Sequence, residues 1–211
     1  MAKVEDHAAT IVLAAGYSSR TGGAFKPLLK LGDRTVVERA VASHLDAGMR
    51  DVRVVVGYRA DDVIDAVRHL GVRIVRNRNF DQGMFSSVQA GTATLEPGVQ
   101  AFFIMPVDIP LVDPATIRAI LENHERNHSG ITYPVYRGTK GHPPLISRRY
   151  IPEIMNTHAP NGLRGILNSY ADEAIGVEVD DEGILLDIDT VEDYRRLLAY
   201  GSRDDIPNHD R

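Results

Sequence analysis

The sequence predicts an α/β chain: a Rossmann-like, doubly wound sheet of mixed strand direction with helices on both faces. Three observations predict it. Short apolar runs recur at residues 9–14, 52–57, 72–75, 101–105 and 131–135; segments of helical periodicity lie between most of them; and after residue 133 the alternation gives way to a stretch rich in proline and glycine.

The elements follow in order. AATIVLAAG reads as the first strand and not as a signal-peptide core, because Glu5 and Asp6 stand where a positive segment belongs. TVVERAVASHLDAG spaces Val37, Ala40, Val41 and Leu45 on one helical stripe and stops at Gly48. A second helix runs from Asp61 to about Leu70, and a third opens after Gly83 and carries Val88 and Leu95. The fourth opens at Asp113-Pro114, a capping residue followed by proline at the first helical position. TYPVYRGTKGHPPLISRRY and the strand-like runs EAIGVEV and GILLDI are most simply an antiparallel portion lying over a pocket. A last helix begins at Thr190 and ends near Tyr200. The result is a single domain over residues 1–200 and a polar, disordered tail over 201–211.

Composition narrows the function. A chain of 211 residues, 43% apolar, buries one substantial core. It has no cysteine, which excludes disulfides, thiolate metal sites and cysteine nucleophiles. A net charge of -5 argues against a nucleic-acid partner, which needs a broad basic face. No apolar run approaches the roughly 20 residues of a membrane span. A soluble, cytoplasmic protein with a local anion site is expected.

The anion site is the loop LAAGYSSRTGGAFK. In open α/β sheets ligands sit at the carboxyl ends of the strands, and this loop directly follows strand one. It fits neither G-x-x-x-x-G-K-[ST] nor G-x-G-x-x-G. Leu13 leads into Ala14, Ala15 and Gly16, which are small enough for a base or ribose to lie on the backbone. Ser18, Arg20 and Lys26 follow, a hydroxyl, a rigid guanidinium fork and a point charge that together suit a triphosphate. A solvated connection is the alternative.

Two acids suit a metal. Asp108 lies just beyond the strand FFIMP, between Pro106 and Pro110, as a rigid ligand for Mg²⁺, which takes one or two carboxylates plus substrate phosphates. In GILLDIDTVEDY, Asp187 and Asp189 share a face if the segment is extended, and Asp189 at its end is the candidate second ligand. Asp189-Thr190 also reads as a helix N-cap, and the two readings stay open.

In NFDQGMFSSVQAG, Gly83, Ser86 and Ser87 bring free backbone N–H groups and hydroxyls to a helix start, where a nucleotide or ordinary capping would use them. GTKGHPPL sets Lys140, Gly141 and His142 in a constrained loop facing the pocket, as acceptor contacts or surface residues. HERNH at 124–128 matches the H-E-x-x-H zinc pattern, but it falls at a helix end with no third ligand nearby and reads as exposed histidines. The other histidines, His44 among them, show no clustering.

Taken in order, LAAGYSSRTGGAFK, VVVGYR, NFDQGMFSSVQAG, MPVDIPLV, GTKGHPPLISR, NGLRGIL and LLDIDTVEDY resemble the MobA-like NTP-transferase family across residues 9–199, and within it the molybdenum cofactor cytidylyltransferases. The resemblance implies a nucleotidyltransferase fold of the nucleotide-diphospho-sugar transferase type, an NTP donor, Mg²⁺ and release of pyrophosphate. By its motifs Ala14, Ala15 and Gly16 contact the nucleotide, Arg20 and Lys26 the phosphates, and Asp108 and Asp189 the metal. LAAG, where the guanylyl branch carries LAGG, implies CTP, and the acceptor would be a phosphorylated small molecule such as molybdopterin. Thr21 departs from the methionine usual there. A transferase acting on a sugar or alcohol phosphate, a glycosyltransferase of related fold and a non-catalytic nucleotide-binding module are the rival readings, and the oligomeric state is left open.

Overall fold

A computed structural model describes residues 7–18, 24–157 and 161–204. Strand β1 (Ala8–Ala14) is buried along its whole length. A short turn at Lys26–Leu28 leads to an antiparallel ribbon of β2 (Lys30–Leu31) and β3 (Arg34–Thr35). Helix α1 (Val36–Asp46) starts at a capping box: Thr35 Oγ1 accepts from the Glu38 N–H while the Glu38 carboxylate accepts from the Thr35 N–H. Next come β4 (Asp51–Val56), α2 (Ala60–Val67) and β5 (Arg73–Arg76), then α3 (Met84–Thr92) and β6 (Ala101–Pro106). Helix α4 (Pro114–Asn127) is capped by Asp113, whose carboxylate accepts from the Ala115 N–H.

The second half comprises β7 (Ile131–Tyr136), β8 (Thr139–Lys140), β9 (Leu145–Ser147), α5 (Ile151–Asn156), α6 (Gly162–Ser169), β10 (Ala174–Glu178) and α7 (Val191–Asp204). An eight-stranded sheet forms among the described residues in the order β10-β7-β9-β6-β1-β4-β5, with β8 paired to β7. Strands β6, β1, β4 and β5 are mutually parallel, and β9 runs antiparallel to both β6 and β7. Of the expected antiparallel portion only β8 and β9 run that way; β10, formed by EAIGVEV, pairs parallel with β7.

Residues of β1 alternate between two cores. Ala8, Val12 and Ala14 pack with α1, α2 and α4 residues; Ala9, Ile11 and Leu13 pack with Val88 of α3, Ile154 of α5 and Ile166 and Leu167 of α6. Helix α3 comes close to the sheet because Gly91 has no side chain: a Cβ there would lie 2.4 Å from Ile11 Cγ2. Order reverses beside β1, whose neighbours are β4 and β6, so the loops after β1 and β6 open a crevice at the carboxyl edge.

Four boundaries differ from the sequence reading. Helix α2 ends at Val67 in a short 3-10 turn, and α3 ends at Thr92, before Leu95. GILLDI is no strand: Glu182–Leu185 form a 3-10 turn, because the Asp181 carboxylate accepts from the Gly183 N–H and Gly183 presses against Leu111, where a Cβ would lie 2.1 Å from the carbonyl oxygen. Helix α7 continues past Tyr200 to Asp204. Helices α5 and α6 were not expected. Of HERNH, His128 closes α4 in a left-handed conformation and is exposed, whereas His124 is half-buried, and burial lowers its pKa. None of the described helices is long and apolar enough to cross a membrane.

Candidate active site

The loop after β1 is anchored on both sides. The Val107 N–H donates to the Leu13 carbonyl, and the Tyr58 N–H donates to the Ala15 carbonyl. Gly57, which follows β4, has no room for a side chain: a Cβ would lie 2.6 Å from Phe80 and 2.9 Å from the Ala15 carbonyl oxygen. Ser18 takes a left-handed backbone at φ 57°, and its Oγ accepts from the Lys26 N–H at 3.1 Å, folding the loop back on itself.

This folding turns the Lys26 side chain into the crevice. Its ammonium lies 3.3 Å from Oδ2 of Asp108 and 3.3 Å from Oδ1 of Asp189, with only 11% of the lysine side chain exposed. Asp108 follows β6. Asp189 arrives because the Ile188 N–H donates to the Asp108 carbonyl at 2.9 Å, stitching the segment before α7 to the loop after β6. The cap of α7 is Thr190, not Asp189: Thr190 donates its N–H and hydroxyl to the Asp193 carboxylate and accepts from the Asp193 N–H. Thr190 also holds the Asp193 carboxyl below its usual pKa. The Asp189 carboxylate turns to Lys26. Burial, then the carboxylates of Asp189 and Asp108, raise the pKa of Asp187, which marks a local excess of negative charge.

Two cavities meet here. A cleft of about 240 Å³ is lined by Leu13, Ala15, Gly16, Ser18, Lys26, Gly83, Ser87 and Asp108 from the expected set, together with Tyr17, Phe80, Asp81 and Met84. A larger cavity of about 570 Å³ is lined by Lys140, Gly141 and His142 and by Phe85, Tyr133, Asn161, Leu163 and Arg164. Leu13, Met84 and Pro106 line both.

Gly141 is required by close approach, since a Cβ would lie 2.6 Å from the Ile184 carbonyl oxygen. The Lys140 ammonium sits 5.2 Å from the centre of the Tyr133 ring, whose hydroxyl pKa is raised by burial. His142 keeps one face exposed, yet the surrounding protein lowers its pKa by desolvation, against the pull of the Asp108 and Asp187 carboxylates.

Not every expected residue lines a cavity. Ala14 faces the core on the α1 side. Ser86 is spent on local structure, donating to the Asn79 and Gly83 carbonyls and accepting from Asn77 Nδ2. Ser87 accepts from the same Asn77 amide and still lines the cleft. Arg20 lies outside the described residues. Sequence reasoning missed Tyr17, Phe80 and Asp81 and the α6 wall, for which the amphipathic spacing of Leu163, Ile166 and Leu167 was the available signal.

Among the described residues no three His, Cys, Asp or Glu side chains form a metal cage. Asp108 and Asp189 nevertheless already share one cation, the Lys26 ammonium. Two carboxylates with room for phosphate and water oxygens are a donor set that suits a hard divalent ion such as Mg²⁺.

A model of the MobA-like NTP transferase domain matches residues 10–174. The molybdenum cofactor cytidylyltransferase of Escherichia coli K12 is 26% identical over 185 residues, 87% of this chain and 92% of that protein. The nicotine blue oxidoreductase of Paenarthrobacter nicotinovorans is 31% identical over 196 residues, 89% of this chain and 95% of that protein. Among solved structures, a Mycobacterium tuberculosis H37Rv protein in complex with manganese matches with a TM-score of 0.76 and 28% identity, over 94% of this chain and 100% of that one.

Proposed function

Because the chain belongs to the MobA-like NTP transferase family and is an enzyme of the nucleotidyltransferase type, we propose that it transfers CMP from CTP to a phosphorylated acceptor such as molybdopterin, with Mg²⁺, and releases pyrophosphate. The observation that carries this reading is the Lys26 ammonium between Asp108 and Asp189, beside the junction of two cavities. One cavity has the phosphate-compatible loop of β1; the other has cations, Lys140 and Arg164, against the flat apolar walls of Phe85 and Tyr133. Ala15, where the guanylyl branch carries glycine, supports CTP.

In the reaction an oxygen of the acceptor phosphate attacks the α-phosphorus of CTP. One P–O bond forms to the acceptor, the bond to the β-phosphate breaks, and pyrophosphate departs in line. A phosphate monoester is already largely ionised near neutrality, with a second pKa of about 6, so no side chain has to take a proton from it. The chain supplies position and charge. Lys26, together with Arg20 and Ser18, holds and neutralises the triphosphate and its departing diphosphate, and the backbone of Ala15 and Gly16 holds the nucleoside end. Asp108 and Asp189 would hold Mg²⁺, which when bound draws charge from the triphosphate. Lys140, Gly141 and His142 would orient the acceptor.

The likeness to the nicotine blue oxidoreductase favours a second reading, oxidoreduction of an apolar substrate in the larger cavity. That chemistry leaves paired acids and a lysine with no departing anion to neutralise, which is why transfer is preferred. A pyrophosphate-release assay across the four NTPs, with and without molybdopterin or small phosphorylated alcohols, tests it. Release with CTP and an acceptor supports transfer; nucleotide binding with no pyrophosphate under any pairing would count against it.

A further inference from the structure

Building on the nucleotidyltransferase reading, we infer that Tyr17, backed by Phe80, is the surface on which the donor's nucleobase stacks. Tyr17 stands in the glycine-rich loop with 52% of its surface exposed, and it lines the smaller cleft together with Phe80. Its position is fixed from behind: its ring centre lies 5.3 Å from that of Phe80 and 5.1 Å from that of Tyr58. Tyr58 in turn meets Phe25 edge-on at 5.6 Å, and the Arg59 guanidinium covers the Phe25 ring at 4.9 Å. Phe80 cannot retreat, since it rests on Gly57 where not even a methyl group would fit. An aromatic ring held this firmly, yet left open on a cleft, offers contact area at little ordering cost, the property a stacking platform needs.

Strand order separates this wall from the charged one. Asp108 follows β6 on one side of β1, while Phe80 and Asp81 follow β5, beyond β4 on the other. Lys26 and the two metal-compatible acids therefore draw the phosphates to one flank. On the opposite flank Asp81 adds negative charge to the aromatic wall, which repels phosphate and can accept from the exocyclic amino group of a base such as cytosine. The larger cavity lies past Met84 and is left for the acceptor.

The test separates base from phosphate. Calorimetry with Mg²⁺ would measure CTP and inorganic tripolyphosphate on the wild type, Tyr17→Ala and Tyr17→Phe. Tyr17→Ala is expected to weaken CTP by at least about fivefold and to leave tripolyphosphate within about twofold, whereas Tyr17→Phe keeps CTP near the wild-type value. Tripolyphosphate binding also reports that the variant is folded. Unchanged CTP affinity in Tyr17→Ala, or an equal loss for both ligands, would overturn the stacking role and leave the transferase reading standing. A wild type that binds neither ligand would overturn both.

Discussion

The Lys26 ammonium lies 3.3 Å from the Asp108 carboxylate although 82 residues separate them in the chain. The same ammonium is 3.3 Å from Asp189, so one positive charge is shared by two negative ones and the trio carries a net charge of minus one. Such a group is poised for exchange. Asp108 and Asp189 would hold a divalent ion bound together with a triphosphate, and the Lys26 ammonium would then be available to the phosphates.

Lys26→Gln should therefore do two opposite things. Removing the ammonium exposes the two acids to a metal ion, so Mn²⁺ alone should bind about three- to tenfold more tightly, a modest figure because Asp189 is 45% exposed and screened by water. CTP should bind more weakly, because a phosphate contact is gone. Electron paramagnetic resonance of free Mn²⁺ measures the first effect and calorimetry the second. Weaker Mn²⁺ binding in the variant would show that Lys26 does not compete for the acids.

Asp108→Ala should leave a folded protein, since the side chain lies at the rim of the crevice, and lower turnover by at least roughly a hundredfold, the scale of losing one transition-state contact. Steady-state pyrophosphate release is the measurement. Near-normal turnover would remove Asp108 from the metal site.

Much of this arrangement was legible in the sequence, and the limits have physical causes. Strands β1, β4 and β6 are buried on both faces, so they read as plain apolar runs, and the Thr35–Glu38 box marks the start of α1 by local chemistry alone. Asp189 was ambiguous because helix capping and metal ligation select the same residue type; the side-chain cap is made by Thr190 with Asp193, and metal ligation by Asp189 belongs to the proposal. GILLDI looked like a strand because its apolar content is real, but tertiary contact of Gly183 with Leu111 turns it. Helix α6 escaped notice because glycines at 162 and 165 interrupt a short segment whose Asn161 cap makes no side-chain bond. The pairing of Lys26 with Asp189 spans 163 residues, and no local pattern encodes such a contact.

Thr190→Val tests the cap as a positioning device. Loss of the hydroxyl should destabilise the protein by about 1 kcal/mol, the usual worth of an N-cap, and loosen the irregular segment that presents Asp189. The kcat should then fall more than the KM for CTP rises, and Thr190→Ser should restore both stability and kcat. Denaturant unfolding and initial rates check the pair. Stability lost without any change in kcat would leave Thr190 a purely structural residue.

His44 should make stability depend on pH. Its ring is fully buried; Nδ1 bonds the Ala40 carbonyl and the Ser43 hydroxyl, while Nε2 has no partner among the described residues. Desolvation lowers its pKa to about 4, against an ordinary value of about 6.5 in the unfolded chain. Between those values the unfolded chain binds a proton that the native state refuses, so stability rises with pH across this window. The contribution is complete above about pH 6.5 and is lost as pH falls towards about 4. Between pH 7.5 and 4.5 this amounts to about 2–3 kcal/mol. His44→Leu has no proton to bind in either state and should show a smaller stability difference between those two pH values by about that amount. Urea unfolding of both proteins at pH 7.5 and 4.5 gives the comparison; identical pH dependence would mean that the native ring accepts its proton in place.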